Sequence, residues 1–161
     1  MKLLITFMLF LTSPCIGKTL LPRDYQIGVD ASMRGDFSAA KKEWEPLANK
    51  GESSSQFQLG WLYEEGYGVT KDYRTAIKWY RLAAEQGYAY AQTALGQMYQ
   101  MGKGVQKNYI KAYMWFNIAA SFWDPDAKIQ RDLVAKKLDS NQLNNAKNLT
   151  HSCITKLFKN C

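Results

Sequence analysis

GESSSQFQLGWLYEEGYGVTKDYRTAIKWYRLAAEQ, residues 51–86, is followed at once by GYAYAQTALGQMYQMGKGVQKNYIKAYMWFNIAASF, residues 87–122, and the two stretches agree at their structurally meaningful places. The offset is 36, the step from Leu59-Gly60 to Leu95-Gly96 and from Tyr63 to Tyr99. Gly66, Gly68 and Val69 recur as Gly102, Gly104 and Val105, Trp79-Tyr80 as Trp115-Phe116, and Ala83-Ala84 as Ala119-Ala120. Self-similarity at a period of this length marks a solenoid of stacked supersecondary units, none of which can bury its apolar face alone. Such stacks present extended grooves and serve mainly as binding surfaces.

Each unit reads as two helices joined by a glycine loop. Ala91, Leu95, Met98 and Tyr99 form one apolar stripe at helical spacing. Gly96 sits beside that stripe, as Gly60 does in the preceding copy. A glycine inside a helix costs about 1 kcal/mol against alanine, so its recurrence points to a close approach by the second helix of the same unit. Gly66 and Gly102 fit left-handed C-caps. Val69 and Val105 anchor the loops, and Asp72 and Asn108 are placed to cap the second helices. Ala76, Tyr80, Ala83 and Ala84, and below them Ala112, Phe116, Ala119 and Ala120, make the inner stripes, with Gly87 closing the first copy.

The pattern fades at both ends. Asp36-Phe37, Ala40, Trp44, Leu47-Ala48 and Gly51 repeat the second half of a unit, preceded by a helix over about 25–34 and a bare Arg34-Gly35 link. Pro46 predicts a kink or an early end of that second helix. At 123, where a third Gly87 would fall, stands Trp123. Asp124-Pro125 then opens a helix with Pro at its first position, whose apolar face is expected to be Ile129, Leu133, Val134 and Leu138. Ser140 is expected to cap a last helix, with Leu143, Ala146, Leu149, Cys153, Ile154 and Leu157 facing inward. No segment sustains period-two alternation. The expected fold is all-α: a short right-handed α-solenoid of stacked helix hairpins with C-terminal capping helices. It divides into a divergent first unit over 22–50, repeats over 51–86 and 87–122, and capping helices over 124–161.

Residues 1–17 read as a cleavable secretory signal peptide. Lys2 supplies positive charge, 3–11 is apolar but for Thr6, and small residues lead to a cleavage site after Gly17. A lipoprotein site at Cys15 is the rival reading. The apolar run is too short to span a bilayer, and no later segment is apolar enough to do so. The mature chain over 18–161 is thus expected to be one domain, periplasmic or secreted. It keeps Cys153 and Cys161, an even pair that favours a disulfide in an exported protein, the alternative being two free thiols.

The chain carries a formal net charge of +7. Lys128, Arg131, Lys136, Lys137, Lys147, Lys156 and Lys159 stand near its end against Asp132 and Asp139. Such a cluster reads as a solvated polar face or as a contact for anionic surface polymers or lipid. Export removes nucleic acid as an everyday partner.

The phrases AQTALGQMYQMGKGVQKNYIKAYMWFNIAA, residues 91–120, and QFQLGWLYEEGYGVTKDYRTAIKWYRLAAEQG, residues 56–87, resemble the Sel1-like repeat family of the tetratricopeptide superfamily, most tellingly in their G-x-G-V-x-K loops. The resemblance implies protein–protein interaction, often in exported bacterial proteins, with a peptide or protein segment held in a concave groove lined by the first helix of each unit. The residues turned away from the packing stripe are then the candidates: Ser54, Phe57, Trp61 and Glu64 in one copy, Tyr90, Thr93, Gln97 and Gln100 in the next. Cysteine-rich relatives bind or slowly hydrolyse penicillin, so an envelope hydrolase or β-lactam-binding protein is the alternative. The cysteine pair those relatives carry in each repeat has no counterpart here.

Chemistry finds little support in the residues. His151 and Cys153 are two apart and so point about 200° apart on a helix. One His with two Cys makes a poor zinc set, and Gly102-Lys103-Gly104 lacks the spacing of a phosphate loop. The expectation is a non-enzyme with no catalytic residues, metal or cofactor.

Overall fold

The computed structural model describes residues 23–122 and 124–161. The expected leader over 1–17, with Cys15 and the Gly17 cleavage position, and the break at Trp123 lie outside these residues. Among the described residues there are eight helices and no strands: α1 (Arg23–Met33), α2 (Phe37–Asn49), α3 (Ser53–Glu65), α4 (Tyr73–Ala84), α5 (Ala89–Met101), α6 (Tyr109–Ser121), α7 (Pro125–Ala135) and α8 (Ser140–Thr155). They pair as hairpins α1–α2, α3–α4 and α5–α6. Each hairpin stacks on the next through α2–α3 and α4–α5, and both α7 and α8 pack on α6.

The helix-internal glycines explain the pairing within a hairpin. A methyl group on Gly60 would lie 2.5 Å from the Tyr80 ring, and one on Gly96 would lie 2.6 Å from the Phe116 ring. Each glycine lets a fully buried aromatic of the partner helix lie flat on the backbone. Gly28 does the same for Trp44 in the first hairpin. The glycine loops explain the stacking between hairpins. Gly66 and Gly102 cap α3 and α5 in the left-handed conformation, as their positions predict. The second glycine of each loop has a different job. Gly68 lies against the backbone of Phe37 and Ser38, and Gly104 against that of Tyr73, so each loop nests on the start of the preceding unit's second helix. Asp72 and Asn108 cap α4 and α6 by accepting from the Arg74 and Lys111 amides.

A polar ladder runs beside the apolar one. Gln56 donates to the Ala48 carbonyl (3.0 Å) and Gln92 to the Ala84 carbonyl (3.2 Å), each reaching back across a unit boundary. The Gln56 amide oxygen accepts from Gln86 (2.8 Å). The place matching Gln86 in the next unit is Phe122, and the buried amide oxygen of Gln92 has no partner among the described residues.

Four expectations are corrected. Pro46 does not end α2, which runs on to Asn49. Pro46 and Lys42 are both exposed, so the Lys42 carbonyl deprived of its helical partner faces water. On α7, Val134 and Ala127 are buried, while Ile129 is 57% and Leu133 46% exposed. Val134 shares one buried cluster with Trp115 and Phe116 of α6, on which α7 packs. The cap of α8 is Asp139 and not Ser140, in a reciprocal pair with Gln142. The inward face of α8 is Leu143, Ala146, Thr150 and Cys153; Leu149 and Ile154 are exposed, as is Leu157 beyond the helix end. The chain then turns through left-handed Leu157 and Phe158, bringing Cys161 to Cys153 with Cα atoms 5.3 Å apart in a disulfide. Phe158 rests edge-on against Phe122 and over Gly87.

Candidate functional site

Residues of α3, α5 and α7 line two adjoining open cavities. The first, about 310 Å³, is lined by Phe57, Trp61 and Glu64 of α3 and by Tyr90, Thr93 and Gln97 of α5. Tyr80, Glu65, Ala94, Asp124 and Asp126 complete it. The second, about 920 Å³, shares Glu64 and Gln97 and continues along α5 through Gln100 and Met101 to Lys103, Lys107 and Tyr109. Its far wall is Gln130, Leu133, Lys136 and Lys137.

Seven of the eight residues expected to face a groove therefore line one. Ser54 does not. It is buried, and its amide and hydroxyl both bond the Glu52 carboxylate that caps α3. Burial opposes the charge on Glu52, but the bonds from Ser54 and Ser55 outweigh it and hold the carboxyl below its ordinary range.

The aromatic residues of the first cavity are partly committed to packing. Phe57 lies 5.6 Å from the Tyr80 ring, 5.5 Å from Tyr88 and 6.2 Å from Tyr90. Trp61 meets Phe37 of the preceding unit and Tyr67 of its own loop. Both are partly buried. Tyr90, at 64% exposure, is the most open. Burial, with smaller contributions from Tyr25, Tyr90 and Glu52, pushes the Tyr88 phenol up to about 12.

Glu64 stands at the partition between the cavities. The Tyr80 hydroxyl donates to one of its oxygens (2.8 Å) and the Lys103 ammonium to the other (3.2 Å). Burial and the Glu64 charge drive the Tyr80 phenol far upward, so it remains a donor. Thr93 donates to Asp124 at 2.7 Å, tying α5 to the cap of α7 and fixing the wall that α7 provides.

The sequence alone names Lys136 and Lys137 as part of a C-terminal basic cluster but does not place them, or Lys103 and Lys107, in the groove. Lys107 belongs to the loop motif itself, but its convergence with Lys136 and Lys137 depends on where α7 docks. His151 is exposed while Cys153 is buried, so the two sit on opposite faces of α8, as their spacing predicts. Among the described residues no group of three or more His, Cys, Asp or Glu side chains could hold a metal, and no helix is long and apolar enough to cross a membrane.

Stacked helix hairpins with a small-residue interior and a lined groove define an α-solenoid of the repeat-protein class. The family model for the Sel1 repeat matches residues 53–88 and 89–121. A Sel1 repeat protein from Oxalobacter formigenes superposes with a TM-score of 0.61 at 31% identity, the match covering 68% of this chain and 85% of that one. The chain belongs to the Sel1 repeat family. It is also similar to c5321, a protective antigen present in uropathogenic Escherichia coli strains and displaying an SLR fold, with a TM-score of 0.79 at 31% identity over 84% of this chain. The chain spans 31% of that longer protein. No curated protein matches it. Sel1 repeat proteins are generally protein-interaction modules, and the fold is typically a non-enzymatic scaffold.

Proposed function

We propose that this chain is an exported interaction module that holds a peptide or protein segment in the groove along α3 and α5 and performs no chemistry on it. The observation carrying this reading is the row of aromatic side chains, the partly exposed Phe57 and Trp61 with the open Tyr90, lining a cavity braced by the Tyr80–Glu64 and Thr93–Asp124 bonds. Rigid aromatic side chains in a formed pocket bind at small entropic cost and are typical interface anchors. The leader over 1–17 supports export, and an oxidising destination agrees with closure of the Cys153–Cys161 bond.

Capture from an envelope extract, read by mass spectrometry, tests the groove when wild type is compared with Tyr90→Ala and Trp61→Ala. Partners retained by wild type and lost by both variants, at unchanged helical circular dichroism, are the expected result. If capture is equal in all three proteins, the groove is not the site. If Trp61→Ala unfolds while Tyr90→Ala binds normally, the aromatic residues serve packing alone.

A further inference from the structure

The two cavities of the groove carry opposite charge. Four lysines line the larger one: Lys103 and Lys107 from the α5–α6 loop, Lys136 and Lys137 from the end of α7. One carboxylate faces them, Glu64, and it is already engaged by Tyr80 and Lys103. Among the described residues the smaller cavity has no Lys or Arg in its lining; it presents Glu65 and Asp126 beside the partly exposed Trp61 and the open Tyr90, while Asp124 is taken up by Thr93 and the first amides of α7. The lysine cavity offers charge-assisted bonds to carboxylates. The aromatic cavity repels them, and its combination of the open Tyr90 with carboxylates suits a guanidinium, which stacks on aromatic planes and pairs with carboxylates at once.

Resting on the groove reading above, we propose that the partner is an extended peptide segment of uneven charge. A short acidic run lies in the lysine cavity, and an arginine on one side of that run enters the aromatic cavity. The spacing follows from α5, which lines both. Tyr90, Thr93, Ala94 and Gln97 face one cavity and Gln97, Gln100 and Met101 the other. At about 1.5 Å of rise per helical residue the two centres are about 10 Å apart. An extended chain covers that distance in about three residues. The amides of Gln97 and Gln100 stand between the centres, within reach of the backbone of such a segment.

The test is fluorescence anisotropy at about 150 mM salt with synthetic peptides. One probe is Arg-Ser-Glu-Glu-Glu, in which the middle of the acidic run falls three residues from the Arg, and its reversed sequence covers the opposite chain direction. Two controls replace the Arg by Glu or the three Glu by Gln. One of the two dipolar peptides is expected to bind at least about tenfold more tightly than either control. Lys136→Gln with Lys137→Gln is expected to remove most of that preference. Glu65→Gln with Asp126→Asn is expected to weaken the dipolar peptide and not the all-acidic one. Each pair lies on the exposed surface, and circular dichroism checks that it folds.

Equal or tighter binding of the all-acidic control overturns the proposal in favour of a general polyanion surface. So does failure of every peptide to bind at about 1 mM. If the Gln control binds as well as the dipolar peptide and Tyr90→Ala abolishes both, the groove reading stands and the charge polarity falls. If binding ignores the groove variants and is lost in Lys147→Gln with Lys156→Gln on the C-terminal segment, both fall.

Discussion

A methyl group at Gly96 would meet the Phe116 ring at 2.6 Å, and neither side can yield, because the ring is fully buried. Gly96→Ala gains about 1 kcal/mol of helix propensity and incurs an overpacking cost of about 1–3 kcal/mol. A net loss of up to about 2 kcal/mol in urea unfolding is expected. A gain in stability would show that the two helices have room to separate. At this scale the sequence is legible wherever a residue acts on its own backbone or recurs at a fixed offset. The left-handed caps Gly66 and Gly102 and the N-caps Asp72 and Asn108 are examples. Gly28 escapes such a reading although it does for Trp44 what Gly60 does for Tyr80. The shorter link between α1 and α2 shifts its register, so it stands away from the place an offset of 36 would assign. Gly68 and Gly104 are visible as conserved spacing within the chain, but their contact with the preceding unit is tertiary.

Among the elements, α7 departs furthest from its sequence pattern. Periodicity cannot choose between Ile129 and Leu133 on one side and Val134 with Ala127 on the other, since both sets are apolar at helical spacing. The docking of α7 on α6 makes the choice, and it places Val134 in one core with Trp115 and Phe116. Leu133 is then free to line the lysine cavity. Val134→Ala is accordingly expected to cost about 1.5–3 kcal/mol, the value of a buried branched side chain, whereas Leu133→Ala should change stability by less than about 0.5 kcal/mol. Chemical denaturation of both variants checks the assignment, and the reverse order of effects would mean that α7 docks by the other face. The same docking decides the site. Seven of the expected groove residues follow from helix geometry within α3 and α5. The opposing wall, Asp124, Asp126, Gln130, Lys136 and Lys137, comes from an element whose orientation no local pattern specifies.

Over the whole molecule, the C-terminal segment acts as a closure. Both α7 and α8 pack on α6, and the Cys153–Cys161 bond holds the turn that sets Phe158 against Phe122 and Gly87. Closing so short a loop restricts the unfolded chain by about 2–3 kcal/mol. Cys161→Ser is expected to lower the thermal midpoint and to give the same value with and without reductant, while wild type falls to meet it when reduced. A wild-type midpoint indifferent to reductant would indicate that the bond contributes nothing to the fold.

The orphaned oxygen of Gln92 has a consequence for anyone who would lengthen this array. In the first full repeat Gln86 supplies this donor to Gln56; at Phe122, the matching place, no such donor stands and an aromatic lid sits there instead. A further hairpin copied and spliced in after that point would inherit a greasy, donorless junction. Extension there calls for restoring glutamine at 122 and dispensing with the Phe158 plug, so the growth of the stack is terminated by a single side-chain exchange as much as by the helices beyond it.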